Sequence, residues 1–165
     1  MTGWIIYNGT LNIPKIIELV DSLVEDARKL GINLEAIKNT ELIPMYDNNG
    51  EAKLIYSRKV EEPKFIIFWD KDVLLASHLE KMGYRVFNSS TAIKNCDHKG
   101  LMHLVLSNNS ISMPKTIISP MIFDYLLNSE DYLINCYEAL GESVIIKEAM
   151  GSFGMQVYLI NNREE

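Results

Sequence analysis

A stretch of helical periodicity stands between two short apolar runs near the start of the chain, and few folds accommodate that order. Trp4-Ile5-Ile6-Tyr7 is apolar and closes on Asn8-Gly9, as a buried strand entering a turn does. Ile13, Ile16, Ile17, Val20, Leu23, Val24, Ala27 and Leu30 then recur at spacings of three and four, which marks one face of a helix. Asn12 is placed to cap that helix, Pro14 is tolerated in its first turn, and Gly31 suits its stop. Residues 32–37 alternate and read as a second strand. Strand, helix, strand at this length is a βαβ unit with a right-handed crossover, and it predicts a parallel sheet.

The following stretch breaks that rhythm. Leu42–Tyr46 and Ala52–Tyr56 flank Asp47-Asn48-Asn49-Gly50, and Asn-Gly is a strong hairpin signal. Residues 65–69 form an unbroken apolar run, expected of a central strand covered on both faces. Asp70 or Asp72 can cap a helix through Leu74, Leu75, Leu79 and Met82 that ends at Gly83. Residues 84–87 read as one more strand, and Ser89-Ser90 as the start of a short helix. Residues 1–95 are therefore expected to form a small α/β domain with an open parallel sheet. From Asp97 onward the texture changes. Leu101, Leu104 and Val105 mark a helix face, and Pro114 precedes an expected strand over residues 115–119. A helix over residues 129–140 should bury Leu133, Ile134, Tyr137 and Leu140 and stop at Gly141. Two strands, residues 144–148 and 155–160, complete a second block, 96–165, of α+β character.

Composition narrows the function classes. Of the 165 residues, 47% are apolar and 23% charged, the balance of a chain that buries a core. A net charge of −6 argues against a general nucleic-acid binder. No apolar run is long enough to span a bilayer, and no basic leader precedes an apolar stretch at the N-terminus, so no membrane partner and a cytoplasmic location are expected. Cys96 and Cys136 lie far apart without histidines at metal-ligand spacing, and read as reduced thiols.

Two features carry potential chemistry. Lys147 ends an apolar strand, and a loop containing Gly151 and Gly154 follows before a second strand returns. Glycines let backbone N–H groups wrap an anion, and a nearby lysine adds positive charge. The pattern is neither a P-loop nor a dinucleotide fingerprint, because the spacing differs and the next element reads as a strand. An ordinary glycine-containing hairpin with a solvated lysine has the same residues. Lys99 is the other candidate, one turn into a helix that begins near Asp97, and a helix N-terminus favours an anion that this lysine could reach. A solvated helix lysine is the plain alternative.

The order of these pieces resembles a known family. Residues 65–69 with Asp70-Lys71-Asp72, then Arg85-Val86-Phe87-Asn88-Ser89, then Asp97-His98-Lys99 are followed by Met113-Pro114-Lys115-Thr116. Val144-Ile145-Ile146-Lys147-Glu148-Ala149 running into Gly151-Ser152-Phe153-Gly154 closes the series. Together they resemble the RimK-like ATP-grasp carboxylate–amine ligases. The resemblance implies a pre-ATP-grasp α/β domain followed by part of the small lobe of the ATP-grasp domain. It implies that Lys99 and Lys147 contact ATP phosphates, while Gly151, Ser152, Phe153 and Gly154 close over the triphosphate. It further implies an acylphosphate route to an amide or peptide-type bond, with ATP, a carboxylate and an amine as partners and Mg²⁺ as cofactor. The family's magnesium ligands lie in a lobe that would follow Glu165; Asp70, Asp72, Glu148, Glu164 and Glu165 do not match them, so no residue here is assigned to metal.

The remaining residues read as structural. His78, His98 and His103 show no pairing with a nucleophile, Ser89-Ser90 suits a cap, and Trp4 and Trp69 suit the core. Asn8-Gly9-Thr10 falls where open α/β sheets bind ligands, and equally where a simple βα turn belongs. The competing class is a non-catalytic binding or interaction module. The last strand, with its apolar edge unpaired, invites a second copy of the chain.

Overall fold

Strand β1 (Thr2–Tyr7) is the spine of the first part of the chain. Trp4, Ile5 and Ile6 are all fully buried, as a strand with parallel neighbours and cover on both faces requires. The computed structural model describes residues 1–107, 109–121, 130–141, 143–151 and 154–162. They fall in two compact units, Met1–Lys94 and Asn95–Glu165.

In the first unit β1 pairs in parallel with β2 (Asn33–Lys38) on one side and β5 (Ile66–Trp69) on the other. The pair β3 (Leu42–Tyr46) and β4 (Ala52–Tyr56) forms a separate antiparallel hairpin. Strand β6 (Val86–Phe87) pairs in parallel with β5 and completes the sheet order β2-β1-β5-β6. The expected central position of β5 is the one observed.

Side-chain alternation sends the two halves of each strand to different cores. Trp4, Ile6, Ile66 and Phe68 join Ile37, Leu42, Leu75, Ala76, Leu79, Val86 and Ile93 in one cluster. That face is covered by α2 (Val73–Lys81), α3 (Ser90–Asp97) and the hairpin. Ile5, Val20 and Leu34 anchor the opposite cluster under α1 (Pro14–Lys29), with Phe65 and Ile67 partly buried beside them. Each fully buried Ile or Leu contributes about 1.5–3 kcal/mol of transfer free energy, so this double cover dominates the unit's stability.

The helix ends follow local chemistry, with one correction. Ile13, not Asn12, is the N-cap of α1, in an extended conformation without a side-chain cap bond. Pro14 takes the first helical position, and a residue before proline is driven to extended backbone, which moves the cap one step on. At the other end Gly31, at φ +71°, donates to Arg28 O while Ile32 donates to Ala27 O. Gly83, at φ +91°, closes α2 in the same way, with Gly83 donating to Glu80 O and Tyr84 to Leu79 O. Asp72 caps α2 by accepting from Leu75 N at 2.9 Å.

The hairpin turn is built as its residues predict. Asp47 Oδ1 accepts from the backbone of Asn49 and Glu51, and Gly50 takes a positive φ. His78 then holds the hairpin to α2: it is 4% exposed, its Nε2 donates to Lys53 O at 2.7 Å, and its ring meets Tyr46 edge-on.

Several sequence expectations are corrected. Trp69 is 45% exposed, because it ends β5 where helix cover runs out, and Leu74 is 82% exposed on the outer face of α2. The fourth strand shrinks to Val86–Phe87. Ser89 Oγ caps α3 by accepting from Ala92 N, whereas Ser90 turns inward and bonds Glu80 through both its N–H and its hydroxyl.

The second unit contains α4 (Lys99–Leu106), α5 (Glu130–Leu140) and an antiparallel pair, β7 (Val144–Lys147) and β8 (Val157–Ile160). Residues 115–119 form no strand, and no ladder among the described residues meets them. Leu104, Val105 and Leu133, expected to be covered, are exposed. Position 129, expected to start the last helix, lies outside the described residues. Both cysteines are free thiols, and among the described residues no helix is long and apolar enough to cross a membrane.

Candidate functional site

The second unit brings a helix start, a strand end and a glycine loop into one place. His98 caps α4 by accepting from Leu101 N on Nδ1 at 3.2 Å, which makes Lys99 the first helical residue. The helix therefore begins two residues later than Asp97, and Lys99 sits at its positive end rather than a turn inside. Lys99 N donates to Ala149 O at 2.9 Å, and His98 bridges Met150 antiparallel. These bonds lay the loop after β7 against the helix start. Lys99 Nζ then donates to Gly151 O at 3.1 Å.

That contact has a clear electrostatic meaning. The first turn of a helix carries roughly half a positive charge, and an ammonium group on its first residue adds a full one. Two like fields in one place are unfavourable until something negative joins them. Here the partial charge of a loop carbonyl serves, and an anion would serve better.

Glycines stand where the chain comes closest. A Cβ on Gly100 would stand 3.1 Å from His98 Cε1 and 3.3 Å from Ile118 Cγ2, so a side chain there would need its neighbours to shift by a few tenths of an ångström. A Cβ on Gly151 would stand 2.8 Å from Gln156 Oε1, and Gly154 holds φ +72°. Gln156 Oε1 is buried with no hydrogen-bond partner among the described residues.

Lys147 ends β7 opposite Val157, and Glu148 N donates onward to Gln156 O at 3.2 Å, so the ladder runs to the edge of the loop. Its side chain is exposed and has no partner among the described residues. Thus Lys99 and Gly151 are in direct contact, and Lys147 and Gly154 lie on either flank of the same loop. Ser152 and Phe153 lie outside the described residues. Among the described residues no group of three His, Cys, Asp or Glu side chains is arranged to hold a metal ion.

A second polar constellation, in the first unit, joins the Asn8-Gly9-Thr10 turn to Asn39 and Asp70, a meeting that the sequence did not reveal. Asp70, just after β5, accepts from Asn39 Nδ2 at 2.9 Å, from Asn8 Nδ2 at 3.3 Å and from Lys71 N at 2.7 Å. Asn39 Oδ1 accepts from Gly9 N, and Asn8 Oδ1 from Thr10 N and Thr10 Oγ1. The clue was present as a short amide or carboxylate residue directly after each of three strands, yet their meeting depends on strand order. Beside it lies an open depression of about 340 Å³ whose lining includes Asn39, Thr40, Asp72 and Leu74.

No protein-family model matches the chain. An uncharacterized MG012 homolog from Mycoplasma pneumoniae is 31% identical over 165 residues, covering 97% of this chain and 54% of the relative. The alpha-aminoadipate–LysW ligase LysX of Saccharolobus solfataricus is 28% identical over 146 residues, covering 86% of this chain and 47% of the relative. Among solved structures, a RimK-domain ATP-grasp protein from Sphaerobacter thermophilus superposes with a TM-score of 0.66 at 13% identity, over 98% of this chain and 56% of that one. The chain thus spans about half the length of the curated relatives it matches, and its fold is the one found in ATP-grasp ligases.

Proposed function

We propose that this chain, which carries the fold of the front half of the RimK-like ATP-grasp ligases, supplies the phosphate-gripping part of an ATP-dependent carboxylate–amine ligase. In such a reaction a carboxylate oxygen attacks the terminal phosphorus of ATP and ADP leaves. An amine then attacks the acyl carbon, phosphate departs, and the amine loses a proton as the amide forms. A protein contributes to these steps mainly by positioning and by neutralising charge on the transferring oxygens.

The observation that carries the reading is the Lys99–Gly151 contact at a helix start. The residues suit a polyphosphate. Lys99 releases a weak carbonyl partner for a charged one, Lys147 supplies a second ammonium group, and the loop of Gly151, Ser152, Phe153 and Gly154 offers backbone N–H groups. Among the described residues no group of three His, Cys, Asp or Glu side chains suits Mg²⁺.

Steady-state kinetics on the full-length protein test this. Lys147→Ala should raise the ATP KM or lower kcat at least tenfold, about 1.4 kcal/mol of lost stabilisation. Unchanged ATP kinetics in that variant would remove Lys147 from the site. ATP binding without ADP release, across carboxylate and amine pairs, would instead favour a binding module.

A further inference from the structure

We infer that His98 is a positioning residue that holds Lys99 in place only while its imidazole is neutral, so that acidification loosens the anion site. This rests on the reading of Lys99 and Gly151 as a phosphate grip. His98 is the N-cap of α4, with extended backbone at φ −96° and ψ 106°. Its Nδ1 accepts from the N–H of Leu101, the third residue of the helix, at 3.2 Å. Caps of this kind are ordinarily Ser, Thr, Asp or Asn, whose side-chain oxygens accept throughout the physiological pH range. A ring nitrogen accepts only while it carries no proton, and imidazole is the side chain that changes charge between about pH 5 and about pH 8. Protonation of Nδ1 sets one N–H against another and adds a charge at the positive end of the helix, beside the Lys99 ammonium group. The bond to Leu101 is then lost, and with it the constraint that starts the helix at Lys99.

Three contacts carry that constraint to the site. Lys99 N donates to Ala149 O at 2.9 Å, His98 bridges Met150, and Lys99 Nζ donates to Gly151 O at 3.1 Å. All three begin on the two residues that the cap fixes. The ring itself lies against Gly100, where a Cβ would stand 3.1 Å from Cε1 and 3.3 Å from Nδ1, closer than side chains ordinarily approach. Ala149 and Met150 on the loop after β7, and Ile118 beside Gly100, bring no charge to the ring. The charged residues next to it in the chain are Asp97 and Lys99, and those next to the loop are Lys147 and Glu148. Carboxylates favour the imidazolium, while ammonium groups and the helix end oppose it. Whichever way that balance falls, the cap exists only in the neutral form.

Binding of a fluorescent ATP analogue to the full-length protein at about pH 8 and about pH 5.5 tests this, with His98→Asn as the comparison. Asparagine caps a helix through an oxygen that does not titrate. Protonation of the nucleotide, together with His78 and His103, is common to both proteins. On acidification the wild-type protein should lose at least about fivefold more affinity than His98→Asn, the scale of a lost cap. At about pH 8 those two should bind within about twofold of each other, whereas His98→Leu should bind at least about fivefold more weakly. Equal acid losses in wild type and His98→Asn, or a smaller loss in wild type, would overturn the inference and leave the phosphate site in place. So would unaltered binding in His98→Leu at the higher pH. No binding by the wild-type protein at either pH would overturn the phosphate-site reading, and this inference with it.

Discussion

Lys99 occupies a position that costs stability unless something negative is near. Its ammonium group adds to the positive end of α4 and donates to the Gly151 carbonyl. Lys99→Met should therefore change thermal stability by no more than about 1 kcal/mol, the scale of a charge–dipole interaction at a helix end. The same variant should weaken binding of a fluorescent ATP analogue at least tenfold. Loss of fold with retained binding would contradict the assignment. His78 is the opposite case, a buried group with a structural bond. Removing its ring in His78→Ala leaves Lys53 O without its donor and a void beside Tyr46. A cost of about 2 kcal/mol or more is expected in urea unfolding. Tyr84 gives a pH signature. Burial, assisted by Tyr56 and Glu62, pushes its phenol well above the usual range. Ionisation then favours the unfolded chain, whose tyrosines titrate near about pH 10. The stabilisation is complete below that pH and is lost as pH rises above it. Between about pH 9 and about pH 11 the wild-type protein should lose more stability than Tyr84→Phe, a comparison that removes the shared lysine titrations.

At the scale of elements, the helix stops show how much a single backbone angle decides. Gly31 and Gly83 both hold positive φ, and nothing lies within 4 Å of where a Cβ would stand on either. Replacement by alanine therefore adds no clash with neighbours, and the penalty is backbone strain alone, about 1 kcal/mol each. Denaturant melts of Gly31→Ala and Gly83→Ala should show that cost with no change in m-value. The β3–β4 hairpin illustrates a different dependence. Its strands pair only with each other, and two strands alone are marginal in water. Leu42 and Leu54 on the main core, His78 under Tyr46, and Trp4 against Tyr56 make it part of the unit.

For the whole molecule, the distribution of buried side chains is the governing fact. All buried apolar residues among those described lie between Trp4 and Ile93, in the first unit. In the second unit Ile145, Ile146, Tyr158 and Leu159 of the β7–β8 pair are each more than half exposed. Limited proteolysis should therefore cut the second unit first and leave a resistant fragment close to Met1–Lys94. The exposed apolar strands should also make the purified chain run larger than a monomer on sizing. We further expect residues 1–165 alone to show no magnesium-dependent ADP release, since the matching relatives are about twice as long. Measurable turnover would show that these residues suffice.

What the sequence by itself determined is local. Helix periodicity, the Asn-Gly turn between Leu42–Tyr46 and Ala52–Tyr56, an aspartate cap at position 70 or 72 and the glycine stops act over a few residues, so the chain states them directly. The strand–helix–strand opening and the apolar run at residues 65–69 similarly imply a covered parallel sheet. The order of short motifs carried the family resemblance and the candidates Lys99, Lys147, Gly151 and Gly154. Tertiary structure decided everything that depends on which distant segments meet. Residues 115–119 have strand-like composition but find no ladder, and Trp69 is apolar but sits past the end of its cover. Lys99 reaches Gly151 across 52 positions, and Asn8 reaches Asp70 across 62. Those contacts depend on strand order and helix placement, which arise from burial summed over the whole unit and from no single stretch of chain.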